Sequence, residues 1–141
     1  MITVIAKTCH YWLGHMWRAQ RHAVSELFEQ MNAESPLVKP AISEDASSSD
    51  TGIASEIAES ILRQTGLRSS AHCYAGWLGL ECPNVRSAVW MMRMMVGSNV
   101  LSRREGTVLF VPVNPAIDPG GQIVIESVKR IHGFAVARQI V

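Results

Sequence analysis

The sequence lacks long apolar runs and the glycine-rich motifs of nucleotide-binding enzymes. Its uninterrupted apolar runs all fall well short of the roughly 18 residues that a membrane helix needs. It contains neither the phosphate loop G-x-x-x-x-G-K-[ST] nor the dinucleotide fingerprint G-x-G-x-x-G. The first residues, MITVIAKTCHYW, show no long apolar core and no small-residue cleavage site, so we expect no secretory signal. These absences argue against a membrane partner and against a phosphate-loop enzyme.

Cysteine is also scarce. The three cysteines, Cys9, Cys73 and Cys82, form no C-x-x-C pair, and their odd number favours a reducing compartment, so we expect a cytoplasmic protein. His72 and Cys73 are neighbours on a predicted strand and would point to opposite faces, which does not suit a shared metal site with Cys82. We therefore expect no metal and no cofactor.

Charge is nearly balanced over the 141 residues, with a formal net charge of +1, but it is unevenly distributed. Acidic residues are concentrated between Glu26 and Glu59, whereas the part from Ser60 onward has nine basic and four acidic residues, a surplus of five positive charges. This surplus mildly favours an anionic partner. The basic residues are scattered and no exposed aromatic run accompanies them, so nucleic-acid binding is not expected.

Composition divides the chain into three parts. Residues 1–33 are predicted to be an N-terminal arm or docking helix. Residues 34–49 contain two prolines and five serines without a sustained period, which predicts a flexible linker. Residues 50–141 are predicted to form an α/β domain, because helical and strand patterns alternate there.

Three helices and three strands are expected in this domain. The first helix would begin after Asp50, bury the stripe Ile53, Ile57 and Ile61, and end at Gly66. A strand at about Ala71–Leu80, a Met-rich helix at about Asn84–Ser98 and a loop at Asn99–Gly106 would follow. The remaining elements are a strand at Thr107–Val113, a helix with Asp118 as N-cap, Pro119 in its first turn and Gly133 at its end, and a strand at Phe134–Val141.

Strands joined through helices are usually parallel. The order therefore predicts a small layered domain with a mainly parallel sheet of three or four strands, in which Ile2–Ala6 would be the fourth. A ferredoxin-like α+β arrangement is the alternative, because the sheet is short and one connection need not cross over.

A parallel sheet would place its two β-to-α turns at one edge, where helix N-termini favour anions. The residues expected to surround a small anion there are Asn84, Asn114, Asp118, Gly120 and Gly121. Arg103 and Arg104, at the tip of the predicted loop, would reach the anion or simply solubilise the loop. Cys82 would lie at a helix N-terminus that lowers the pKa of its thiol, and it is the candidate nucleophile, although Glu81 beside it acts in the opposite direction.

Two functions follow from these patterns. The first is a non-enzymatic accessory or interaction protein that forms a homo-oligomer through the apolar Met-rich helix. If Met91 and Met94 face the partner, replacing either by lysine should dissociate the oligomer without unfolding the protein. The second is an enzyme or binding subunit for a small anionic metabolite held at the helix N-termini.

Overall fold

The computed structural model describes residues 23, 25, 26, 36–41, 48–71 and 74–140. The chain divides into two compact units, Met1–Glu34 and Ser35–Val141. In the first unit the described residues are Ala23, Ser25 and Glu26, and all three are helical. The predicted strand Ile2–Ala6 lies outside the described residues, as do His72 and Cys73 of the predicted strand at about Ala71–Leu80.

The described residues of the second unit form three α-helices and three β-strands. In chain order they are α1 (Ser48–Thr65), β1 (Trp77–Glu81), α2 (Val85–Gly97), β2 (Arg103–Glu105), β3 (Val108–Pro112), a 3₁₀ turn (Pro119–Gly121) and α3 (Gln122–Ala137). The sheet order is β1-β3-β2, and both neighbouring pairs are antiparallel. The chain is thus a small α/β domain with an antiparallel sheet, and the predicted mainly parallel sheet is wrong.

The error in strand direction has a single origin, the strand β2. Because β1 and β2 each run antiparallel to β3, they run parallel to each other, as expected for two strands joined through a helix. Gly106 and Thr107 then form a two-residue turn that reverses the chain, and β3 returns between β1 and β2. Gly106 adopts φ +58°, which suits this tight hairpin. The order α-β-α-β-β-α also differs from the β-α-β-β-α-β order of a ferredoxin-like fold.

The predicted strand Phe134–Val141 is also wrong, because α3 continues through Gly133 to Ala137. The buried residues Val124, Val128, Ile131 and Ala135 keep a helical spacing across that glycine. A continuous buried stripe stabilises the helix by more than the roughly 1 kcal/mol that an internal glycine costs relative to alanine.

Several local predictions are confirmed. Ile57 and Ile61 of α1 are buried, and Gly66 follows the helix at φ +80°, where its N–H donates to the carbonyl of Leu62. The predicted helix at about Asn84–Ser98 matches α2 to within one residue at each end, and Asn84 is its N-cap. The predicted strand Thr107–Val113 matches β3 to within one residue at each end. Asp50, by contrast, lies inside α1 and not before it, since the helix begins at Ser48.

The core lies between the sheet and the helices. Leu80, Leu109 and Val111 share one face of the sheet and are fully buried. Helix α1 packs against β1 and α3, and α2 packs against β2, β3 and α3. One layer of helices thus lies on the small sheet.

Part of the predicted linker packs against this unit. Val38 is fully buried, its N–H donates to the carbonyl of Asn99, and its own carbonyl accepts from the N–H of Leu101. The Asn114 amide donates to the carbonyl of Lys39 at 3.0 Å. Residues 36–41 therefore belong to the packed unit, while the boundaries at 33/34 and 49/50 stay predictions.

The junction between the 3₁₀ turn and α1 generates a stability prediction. Gly120 and Gly121 have φ of +71° and +69°, so an alanine at either position would be strained. A Cβ at Gly121 would also overlap Ile57 Cδ1 and Cγ1, whereas a Cβ at Gly120 would meet only Gln122 Nε2 at 3.8 Å. We expect Gly120→Ala to lower the free energy of unfolding by about 1 kcal/mol, and Gly121→Ala by about 3 kcal/mol, since overpacking adds to the strain. Urea unfolding of both variants tests this, and equal losses would contradict the close contact with Ile57.

Candidate functional site

The structure separates the two turns that were expected to form one site. In the β1–β3 pair Glu81 lies opposite Val108, and Trp77 lies opposite Pro112. Cys82 and Asn84 therefore follow the end of β1 at one end of the sheet, and the turn that begins with Asn114 follows β3 at the other. Four residue steps along a strand place these ends about 14 Å apart. Asn84 is thus not brought together with Asn114, Asp118, Gly120 and Gly121.

Both helix N-termini are capped by side chains of the chain itself. Asn84 Oδ1 accepts hydrogen bonds from Ser87 N at 2.8 Å and from Ser87 Oγ at 3.1 Å. Asp118 is buried, and its carboxylate accepts from Ile123 N at 3.0 Å and from Val124 N at 3.2 Å. These are N–H groups that an anion at the helix N-terminus would need.

The last helix begins later than predicted. The two glycines with positive φ interrupt the helical path after Pro119, so α3 begins only at Gln122. Asp118 still reaches the first turn of α3 from four residues before it. Asn114 shapes the same turn, since its Oδ1 accepts from Ala116 N at 3.2 Å.

Cys82 lies after β1 in a buried position, and its N–H donates to the carbonyl of Thr107 at 2.9 Å. Burial raises the pKa of the Cys82 thiol to about 11, and a backbone hydrogen bond with Leu109 offsets this in small part. The expectation of a lowered pKa is therefore wrong. At neutral pH the thiol is protonated, which does not suit a nucleophile.

Arg103 and Arg104 lie on β2 and not on a loop tip. They point to opposite faces of the sheet, because neighbouring residues of a strand alternate. Arg104 donates to the carbonyl of Gly106 at 3.0 Å. Arg103 instead lies against the rings of Tyr74, Trp77 and Phe110, which we call the aromatic cage.

The aromatic cage surrounds one cation. Arg103 Cζ lies 4.8 Å from the ring centroid of Tyr74, 5.4 Å from that of Trp77 and 5.2 Å from that of Phe110. These distances are within the range of cation–π attraction. Arg103 Nη2 also donates to Glu105 Oε1 at 2.8 Å, and the hydroxyl of Tyr74 donates to Glu105 Oε2 at 3.0 Å. The hydrogen bond to Glu105 raises the pKa of Tyr74 above its ordinary value, so the phenol remains a donor.

Sequence reasoning missed the cage because its members come from separate segments. Tyr74 lies three residues before β1 and Trp77 begins that strand. Phe110 lies on β3, and Arg103 lies opposite it on β2. The spacing of Arg103 and Glu105 indicates that they share a face once β2 is recognised as a strand. Which aromatic rings lie next to Arg103 can be predicted only when the register of all three strands is known.

The Met-rich helix α2 buries a side different from the one expected. Met91, Met94 and Met95 are buried together with Ser87 and Ala88. Met91 and Met94 therefore face the core and not a partner. Val85 and Val96 are 48% and 47% exposed, and Val89 and Met92 are half-buried. We call these four residues the α2 stripe.

Two arginines lie beside the α2 stripe. Arg86 and Arg93 are both exposed, and neither forms an ion pair with any residue that the structure describes. They are seven residues apart and therefore share one side of the helix. One side of the stripe is therefore bordered by positive charge.

The burial of Cys82 predicts slow thiol chemistry. In a variant whose Cys9 and Cys73 are replaced by serine, we expect an aromatic disulfide reagent at pH 8 to label the native protein about 100-fold more slowly than the urea-unfolded chain, since the thiol pKa falls from about 11 to the ordinary 9.0 on unfolding. Equal labelling rates in the native and unfolded protein would contradict this prediction.

The same shift of the thiol pKa determines how stability depends on pH. The contribution of the thiol to the free energy of unfolding is complete below about pH 9 and is lost as the pH rises to about 11.

Metal-binding clusters, membrane-spanning helices and similar proteins were also sought. Among them, no group of three or more His, Cys, Asp or Glu side chains is arranged to hold a metal ion. None of the described helices has the length and apolar character to cross a membrane. No family model, curated protein or solved structure matches the chain.

Proposed function

We propose that this chain is a non-enzymatic accessory or interaction protein that self-associates through the α2 stripe. The observation that carries the proposal is the exposure of Val85 and Val96, at 48% and 47%, on a helix whose opposite side is fully occupied by the core. Exposed apolar side chains that line up on one element are typical of contact surfaces.

The spacing of the α2 stripe suits a helix-to-helix contact. Val85, Val89, Met92 and Val96 follow one another at intervals of four, three and four residues, which places them in one row along the helix. The row extends over about 16 Å, since each residue of a helix rises 1.5 Å. Two copies of the same row are self-complementary, as a twofold-symmetric dimer requires.

The two arginines beside the α2 stripe would be at the edge of such an interface and not at its centre. Arg86 and Arg93 lie beside the row and would be at the rim of the interface, where solvent and salt screen their mutual repulsion. The apolar centre then supplies the free energy of association, at about 25 cal/mol for each Å² removed from water.

The metabolite-binding alternative has less support. Asn84 and Asp118 cap their own helices, Arg103 is paired with Glu105, and Cys82 is buried. A thermal-shift screen of phosphorylated and carboxylated metabolites tests this alternative, because a ligand that binds the native state raises the unfolding temperature.

The self-association proposal predicts the effect of charge on the α2 stripe. We expect the double substitution Val85→Lys and Val96→Lys to raise the dimer dissociation constant by about 100-fold, which is roughly 1.4 kcal/mol for each substituted position counted over both subunits. Because both side chains are about half exposed, the unfolding temperature of the monomer should change little. Sedimentation velocity over a range of protein concentrations measures the dissociation constant.

The matched control is Val136→Lys. Val136 lies on α3 and is 51% exposed, so it offers the same chemical change at similar exposure outside the stripe. This variant should associate like the unchanged protein. A protein that remains monomeric at high concentration before any substitution, or an equal loss of association in the control, would contradict the proposal.

A further inference from the structure

We propose that the aromatic cage, together with Glu105, is a binding site for an arginine side chain of a partner polypeptide, and that Arg103 of the chain itself closes this site. The inference rests on the geometry around Arg103 and is independent of self-association through α2. It concerns the face of the sheet that carries Trp77, Phe110 and Arg103.

The contacts of Arg103 indicate which chemical group fits the cage. Three ring centroids lie 4.8–5.4 Å from the guanidinium carbon of Arg103, and a carboxylate oxygen of Glu105 lies 2.8 Å from its Nη2. Ring faces attract a cation, and the carboxylate accepts an N–H donor. A guanidinium has both properties, whereas a fully methylated ammonium has no N–H to donate to Glu105 Oε1.

Two walls of the cage, Phe110 and Tyr74, have contacts that do not involve Arg103. Phe110 lies on the central strand β3 and occupies the space above Gly79, where a Cβ would lie 3.1 Å from its Cε1. Tyr74 packs edge-on against Phe110 with centroids 5.2 Å apart, and its carbonyl accepts from Trp77 N at 3.0 Å. A site with such pre-positioned walls loses little conformational entropy when a ligand enters.

The resident arginine is, by contrast, accessible to solvent. It lies on β2, an edge strand of three residues that are all exposed. The side chains of Arg103 and Glu105 are 44% and 49% exposed, and exposed ion pairs contribute little to stability. Arg103 can therefore leave the cage while the rings stay in place, and a second guanidinium can take its position. Only protein conformations with an open cage bind the ligand, so Arg103 lowers the apparent affinity.

The test uses the full chain and two small probes, N-acetyl-arginine methylamide and its uncharged isostere N-acetyl-citrulline methylamide. Binding is followed by NMR chemical-shift changes at Tyr74, Trp77 and Phe110. We expect the unchanged protein to bind the arginine probe weakly, with shifts at these residues that exceed those caused by the citrulline probe. Arg103→Ala should bind the arginine probe at least tenfold more tightly, because the cage is then open.

Two further variants distinguish binding in the cage from a non-specific effect of the protein's net charge on probe binding. Adding Glu105→Gln to Arg103→Ala should weaken binding of the arginine probe about tenfold, because the carboxylate is lost. Arg104→Ala removes the same charge from the opposite face of β2 and should bind like the unchanged protein. Unfolding temperatures of all variants establish that they are folded.

Three results would overturn the proposal. The first is an absence of saturable shifts in folded Arg103→Ala, and the second is equal binding of the arginine and citrulline probes. The third is an unchanged protein that shows no response at the cage residues at any probe concentration, since Arg103 would then be a permanent part of the structure. The last measurement needs no substitution and holds even if Arg103→Ala fails to fold.

Discussion

The antiparallel pairing of β1 with β3 is the interaction on which the rest of the described structure depends. Its register, from Trp77 opposite Pro112 to Glu81 opposite Val108, fixes which side chains share a face. It places Leu80, Leu109 and Val111 on the face that packs against the helices, and Trp77 and Phe110 on the other face, where Phe110 is also fully buried. A shift by one residue would exchange these two sets and remove both the core and the cage.

The same pairing explains why two anion-favouring turns do not make an anion site. In a parallel sheet, both helix N-termini would have opened at one edge. In this sheet they are at opposite ends, and each has an internal cap, Asn84 for α2 and Asp118 for α3. The polar side chains that suggested a ligand in the sequence are instead used to satisfy the backbone of the chain itself.

Local patterns in the sequence were sufficient to predict the helices α1 and α2 and the strand β3. The apolar stripe of α1 and Gly66 act within one or two helical turns. The structure buries Ile57 and Ile61, leaves Ile53 half-buried and keeps Gly66 directly after the helix. Strand β2 was not predictable in this way, because Arg103–Glu105 is short, charged and exposed. Missing this strand reversed the inferred direction of β3, although the crossover rule holds for β1 and β2. The apolar character of α2 on nearly all sides also hid which of its residues face the core, Met91 and Met94 among them.

The most direct test of this account is the direction of the β1–β3 pair in solution. In an NMR experiment that detects short interproton distances between backbones, antiparallel pairing predicts cross-strand signals joining Leu78 with Val111 and Leu80 with Leu109. Signals joining Leu78 with Leu109 and Leu80 with Val111 would instead indicate parallel strands, and would contradict the separation of the two turns and the assembly of the aromatic cage.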